Sequence, residues 1–134
     1  MTPVFADTFF FLALINPRDA AHSRAVAAAT VRTGPLLTTA WVLTEVADGL
    51  AATPDRHLIE KILADLDQEP RDLIVPASPE LFDRGLQLYL ARPDKKWSLT
   101  DCVSFVVMQD RNVTEALTAD HHFEQAGFIA LLKD

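Results

Sequence analysis

A single cysteine, Cys102, stands among 134 residues, so no internal disulfide can form and the fold must rest on packing. Nothing else in the chain asks for an oxidising compartment. No apolar run approaches the roughly 18 residues that a membrane span requires. The greasy stretch Phe9 to Ile15 follows Asp7 and has no Lys or Arg before it, which is the wrong flank for a targeting segment. A Gly/Ser linker, an internal repeat and a low-complexity tract are also missing, and the prolines fall singly at presumed element boundaries. Positive charge is short: 12 Lys and Arg face 19 Asp and Glu, leaving a formal charge of -7. That balance counts against a protein that grips nucleic acid by a broad basic surface, because phosphate contacts come mainly from Lys and Arg. If this chain handles RNA, a cation must help. No P-loop or nucleophile elbow is present. The length supports one domain with a real core, residues 1–134, and a cytoplasmic location is expected.

Short apolar runs of strand length alternate with longer helical stretches. Val4 to Ala6, Leu36 to Thr39, Leu73 to Val75, Ala116 to Thr118 and Phe128 to Leu132 read as strands. Phe9 to Ile15, Ala20 to Arg32, Trp41 to Ala51, Asp55 to Asp67, Pro79 to Leu90, Thr100 to Asp110 and a short segment after Asp120 read as helices. Strand and helix in turn imply an α/β sandwich around a mostly parallel sheet. In such a sheet, ligands bind beyond the carboxyl ends of the strands.

Four acids are expected at that edge. Asp7 directly follows the first strand, Asp120 follows the fourth, Asp101 opens the apolar helix Thr100 to Asp110, and Glu45 lies in the helix after the second strand. Each also has an ordinary alternative. Asp is a favoured helix N-cap, which suits Asp7 and Asp120, and Ser98 with Asp101 has the spacing of a capping box. Glu45 and Asp48 fall on the polar side of their helix. Taken together, however, four clustered carboxylates without basic partners need a divalent cation to stay ionised. Mg2+, which prefers oxygen ligands, is the expected ion, with Mn2+ as a substitute.

The segments VFADTFFFLALIN, TTAWVLTEVADGL, WSLTDCVSFVVM and ALTADHHFEQAGF carry a resemblance that runs the length of the chain. In this order and spacing the chain resembles the PIN-domain ribonucleases, especially the VapC-like toxins of bacterial toxin-antitoxin pairs. The resemblance implies a three-layer α/β/α fold with a central parallel five-stranded sheet in the order 3-2-1-4-5. It implies an acidic pocket for one or two Mg2+ or Mn2+ ions formed by Asp7, Glu45, Asp101 and Asp120, with Thr8 and Thr100 in supporting roles. It also implies RNA hydrolysis by a metal-activated water, a cognate antitoxin partner and a homodimer. One departure is Phe9, where many relatives carry a second small polar residue.

Arg92, Lys95, Lys96 and Trp97 form a small basic and aromatic cluster just before the Asp101 helix, where phosphate contacts and base stacking would guide RNA. The competing reading makes the lysines a wet loop and Trp97 a core plug. His121 and His122 suggest zinc, but adjacent histidines point in different directions, and Cys102 has no partner at ligand spacing. Two rival functions stand beside the nuclease. A PIN-like module that binds or regulates without cutting would keep the fold yet has no reason to keep the acids. A small Mg2+-dependent phosphatase would need a partner acid two residues after its nucleophile, and Asp7-Thr8-Phe9 lacks one.

Overall fold

The structure is a computed structural model that describes residues 2–134. In chain order the elements are β1 (Val4–Ala6), α1 (Thr8–Ile15), α2 (His22–Val31), β2 (Leu36–Thr39), α3 (Ala40–Leu50), α4 (Leu58–Gln68), β3 (Leu73–Val75), α5 (Pro79–Ala91), α6 (Leu99–Asp110), β4 (Glu115–Leu117), α7 (His121–Gln125) and β5 (Ile129–Ala130). The five strands form one parallel sheet in the order β3-β2-β1-β4-β5. This is the α/β sandwich expected from the alternating apolar runs. Among the described residues no helix is long and apolar enough to cross a membrane.

The chain first adds strands on one side of β1 and then crosses to the other side for β4. Strand order therefore reverses at β1, and the crevice of a doubly wound sheet opens beyond the carboxyl ends at such a reversal. The register settles which residues meet there. Phe5 lies opposite both Leu37 and Ala116, and Ala6 lies opposite Leu117. The next residues outward, Asp7 and Thr118, are thus neighbours by construction.

Strand and helix boundaries differ from the sequence expectation in physically simple ways. β4 ends at Leu117 rather than Thr118 because the Thr118 N–H turns back to the Ala116 carbonyl (3.0 Å), which releases its side chain from the ladder. α2 starts at His22 rather than Ala20, since Asp19 Oδ1 accepts the Ala21 N–H (2.8 Å) in a turn. α4 starts at Leu58 rather than Asp55, and β5 is confined to Ile129–Ala130.

α6 is the central helix. Every residue from Asp101 to Met108 is buried, and the helix packs against α3, α5 and α7. Such complete burial explains why its sequence lacks a strong polar face. Its approach to α5 is unusually close: a Cβ built on Gly85 would stand 2.5 Å from Val103 Cγ2. Gly49, in α3, has room instead, with Leu12 Cδ1 at 3.6 Å. Overpacking a filled core costs about 1–3 kcal/mol, while Gly to Ala in an open helix position gains up to ~1 kcal/mol. Gly85→Ala is therefore expected to lower the melting temperature and Gly49→Ala to raise it, as checked by thermal denaturation; the same sign for both would refute the close α5–α6 contact.

Candidate active site

Asp7 occupies the N-cap position of α1 with extended backbone angles, yet its side chain makes no capping bond. Instead its Oδ2 accepts the Thr118 hydroxyl hydrogen at 2.9 Å, across the β1–β4 pair. Thr118 Oγ1 in turn accepts the Asp120 N–H at 3.0 Å. The register thus links two of the expected acids through one threonine. On the other flank of β1, Thr38 Oγ1 donates to the Ala6 carbonyl (2.8 Å), fixing the backbone just before Asp7.

Asp101 and Asp120 do cap their helices. Ser98 and Asp101 form a reciprocal capping box at the start of α6, with Ser98 N–H donating to Asp101 Oδ2 at 3.1 Å and Asp101 N–H donating to Ser98 Oγ at 3.0 Å. Asp120 Oδ1 accepts the His122 N–H at 2.9 Å at the start of α7. The bland and functional readings are compatible, because a cap engages only one carboxylate oxygen. Among the described residues, Asp101 Oδ1 and Asp120 Oδ2 accept no hydrogen bond. Glu45 reaches in from α3, whose start is fixed by the Thr39 hydroxyl accepting Val42 N–H (3.1 Å). The Thr8 hydroxyl donates to Glu45 Oε1 at 2.6 Å.

An aromatic run lies beneath these acids. Phe5, two residues before Asp7, faces Phe123 with ring centroids 6.2 Å apart. Phe123 meets Phe105 edge-on at 5.0 Å, and Phe105 meets Trp97 edge-on at 5.0 Å. The segments bearing Asp7, Asp120 and Asp101 are therefore packed on one another through rings a few residues away. Such contacts contribute about 0.5–1.5 kcal/mol each beyond simple burial.

Burial leaves its mark on these acids, with a smaller contribution from their neighbours. Burial chiefly, and then the Asp101 and Glu45 carboxylates, push the Asp7 carboxyl up to about 7, against the opposing pull of the Thr118 hydroxyl and the Thr8 N–H. Burial and the Asp120 carboxylate likewise raise Asp101, opposed by Ser98 N–H and His122. Asp7 thus feels Asp101 and Glu45, and Asp101 feels Asp120. Some acids elsewhere are matched by Arg, as in Arg32–Asp72 and Arg84–Asp110, but among the described residues none of these four pairs with Lys or Arg; His122 is the basic group beside Asp101 and Asp120.

Other expected site residues sit as follows. Thr100 and Asp48 line a groove of about 320 Å³ beside Glu45 and Trp41. The Thr100 hydroxyl hydrogen-bonds none of the acids; its carbonyl accepts from Ser104. Trp97 does not offer a stacking face to a base. It is 6% exposed, its indole N–H donates to Gln125 Oε1 (3.0 Å), and the Arg92 guanidinium lies 5.2 Å from its ring centre. The core-plug alternative is therefore the right one for Trp97, because its ring is consumed by Phe105 and Arg92. Arg92 also pairs with the exposed Asp94. Lys95 and Lys96 border a surface groove with Tyr89 and Leu90. Burial and Asp101 push the Cys102 thiol up to about 11, so it stays protonated and inert.

Two site residues escaped the sequence reading. Thr118 reads in sequence as the end of a strand, although a hydroxyl two residues before Asp120 is the signal that marks it. Adjacent histidines are expected to point apart, but the rings of His121 and His122 stand 4.5 Å apart with nitrogens near Asp120, and His122 Nδ1 lies 3.0 Å from Asp101 Oδ2 and 3.4 Å from Asp120 Oδ1. That proximity depends on α7 docking at the start of α6, which local sequence does not encode.

The sequence profile of the family described as "PIN domain" matches residues 4–129. The chain belongs to the PIN-domain family. Comparison with curated proteins gave no match. Among solved structures, this PIN domain is similar to Mycobacterium tuberculosis VapC20, described as a sarcin-ricin loop cleaving toxin, with TM-score 0.84 and 23% identity over 94% of this chain and 96% of that one. It is also similar to FitAcB from Neisseria gonorrhoeae, with TM-score 0.67 and 17% identity over 95% and 94% of the two chains. Both likenesses concern the fold.

Among the described residues, the donors that already lie within 4.8 Å of one another are those of Asp120, His121 and His122. The four acids suit a hard divalent cation by chemistry: they offer oxygen, Asp101 Oδ1 and Asp120 Oδ2 accept nothing from the protein, and no Lys or Arg balances them. Without a cation, the raised Asp7 pKa has a definite consequence for stability. Between about 3.8 and 7 the folded protein retains a proton that the unfolded chain has released, so stability falls as pH rises through that window and levels off above it. In chelator, the stability advantage of Asp7→Asn over wild type should therefore grow from pH 5 to pH 8, to at most about 4 kcal/mol. Denaturant unfolding at the two pH values measures it; an advantage that does not change with pH would show that Asp7 is not held protonated by its surroundings.

Proposed function

We propose that this PIN-domain protein is a metal-dependent endoribonuclease, and that it acts as the toxin of a toxin-antitoxin pair. The observation that supports the reading is the coupling of Asp7 to Asp101 and Glu45 and of Asp101 to Asp120, with no Lys or Arg partner for any of the four. A binding module that never meets a cation gains nothing from this repulsion. The toxin assignment is supported by the similarity in fold to VapC20 and by the family motifs.

Asp7, Glu45, Asp101 and Asp120 would hold Mg2+ or Mn2+. When bound, such an ion supplies Lewis-acid activation of water and neutralises charge that develops on phosphate oxygens during in-line displacement. The protein's own contribution is placement. Thr118 anchors Asp7 Oδ2, the Ser98 N–H anchors Asp101 Oδ2, and Thr8 anchors Glu45 Oε1, so each acid is turned by a hydrogen bond to the fold. Glu45 is exposed and stands at the rim, where substrate arrives, whereas Asp7 lies at the bottom. No side-chain nucleophile is needed, which agrees with the inert Cys102. Lys95 and Lys96, on the loop that leads into α6, are the cations we assign to the RNA path, with Arg92 held back by Asp94 and the Trp97 ring.

The decisive experiment incubates the protein with total RNA, with a sarcin-ricin loop oligonucleotide as a second substrate, in Mg2+ or Mn2+ and in chelator. Discrete cuts that need the divalent ion are expected. Asp101→Asn should lower the cleavage rate at least ~100-fold with the fold retained, because it removes a ligand charge while leaving an oxygen for the capping box. Normal cutting by that variant would overturn the site, and cutting in chelator would overturn the metal. A phosphomonoester tested alongside should remain intact. Co-expression of a cognate antitoxin should suppress the activity.

A further inference from the structure

We propose that His122 is a positioning residue for the cation site, an inference that rests on the metal-dependent reading above. One residue touches two of the acids by two different N–H groups. Its backbone N–H donates to Asp120 Oδ1 at 2.9 Å, and its imidazole Nδ1 lies 3.0 Å from Asp101 Oδ2 and 3.4 Å from Asp120 Oδ1. An ionised carboxylate only accepts, so the shared proton belongs to Nδ1. Asp101 Oδ2 then takes two donors, Ser98 N–H and His122 Nδ1–H, and Asp101 Oδ1 is the oxygen left to face a cation. The ring thus fixes which oxygen of Asp101 is presented and ties the start of α6 to the start of α7.

No other side chain does this. Asp7 is turned by Thr118 and Glu45 by Thr8, but among the described residues the polar link between Asp101 and Asp120 is His122. The side chain is largely covered, at 20% exposure, whereas that of its neighbour His121 is 71% exposed. Partners that orient metal-binding groups typically contribute 10–100-fold in metal affinity.

Mn2+ binding to chelator-stripped protein, followed by calorimetry and by the electron paramagnetic resonance signal of the bound ion, separates this role from a structural one. His122→Ala is expected to weaken Mn2+ binding by roughly 10–100-fold, with the metal-free melting temperature within about 3 °C of wild type. His122→Asn, whose amide N–H takes the place of Nδ1–H, should bind Mn2+ nearly as wild type does. Unchanged binding in His122→Ala, or loss in His122→Asn equal to that in His122→Ala, would overturn the proposal. Loss of the metal-free fold in both variants would assign His122 to folding and overturn it too. Asp101→Asn distinguishes the two levels. If wild type takes up no Mn2+, the metal reading fails and this inference falls with it. If Asp101→Asn loses Mn2+ and His122→Ala does not, only the inference fails.

Discussion

Burying a carboxylate beside other acids at the edge of a sheet is costly, and the packing around Asp7 and Asp101 has to withstand that cost. At this edge the protein gives up stability to bring them together, and burial pushes Asp7 up to about 7. Withstanding that cost takes rigid support from below. The rings of Phe5, Phe123, Phe105 and Trp97 touch in sequence under the acids, and each belongs to a segment that carries one of them or leads into it. Movement of Asp7, Asp101 or Asp120 outward would have to drag a packed ring with it. The close α5–α6 approach at Gly85 adds a second wall behind the Asp101 helix.

The acids divide their duties between fold and chemistry in different proportions. Asp101 and Asp120 each commit one oxygen to a helix start and keep the other, so the same residue nucleates a helix and offers a ligand. Asp7 gives up its cap altogether. α1 begins without a side-chain acceptor, and the missing cap costs about 0.5–2 kcal/mol relative to a helix that has one. A residue at the N-cap position that does not cap is poorly explained by helix stability. Its orientation toward Thr118 is better explained by the site.

How much of this was legible in sequence depended on range. Strand positions, the helix pattern and the edge to which Asp7, Asp101 and Asp120 belong follow from local periodicity and from the rule that parallel sheets work at their carboxyl ends. The capping box at Ser98 and Asp101 follows from spacing alone. Trp97 shows the limit: a tryptophan beside lysines has the composition of a stacking platform, and only its packing on Phe105 and its bond to Gln125 reveal it as core. His122 shows the same limit from the other side, since its contact with Asp101 spans 21 residues. Thr118 lies between, because its partner follows from β1–β4 register once the strand order is known.

The acidity of the whole chain looks at first like an argument against RNA as a substrate. Yet four of the charges behind the net -7 are the clustered acids themselves. They account for more than half of the excess, and they sit at one edge rather than spread over the surface. At physiological ionic strength the Debye length is about 8 Å, so repulsion between RNA and this protein is dominated by what lies close to the site. A cation bound there would cancel much of the local repulsion and create attraction for phosphate at the same point. On this view the shortage of Lys and Arg does not oppose nuclease chemistry. On the proposed function it would make substrate affinity depend on the same ions as the chemistry, and would leave the few basic groups near α6 to guide the strand rather than to hold it.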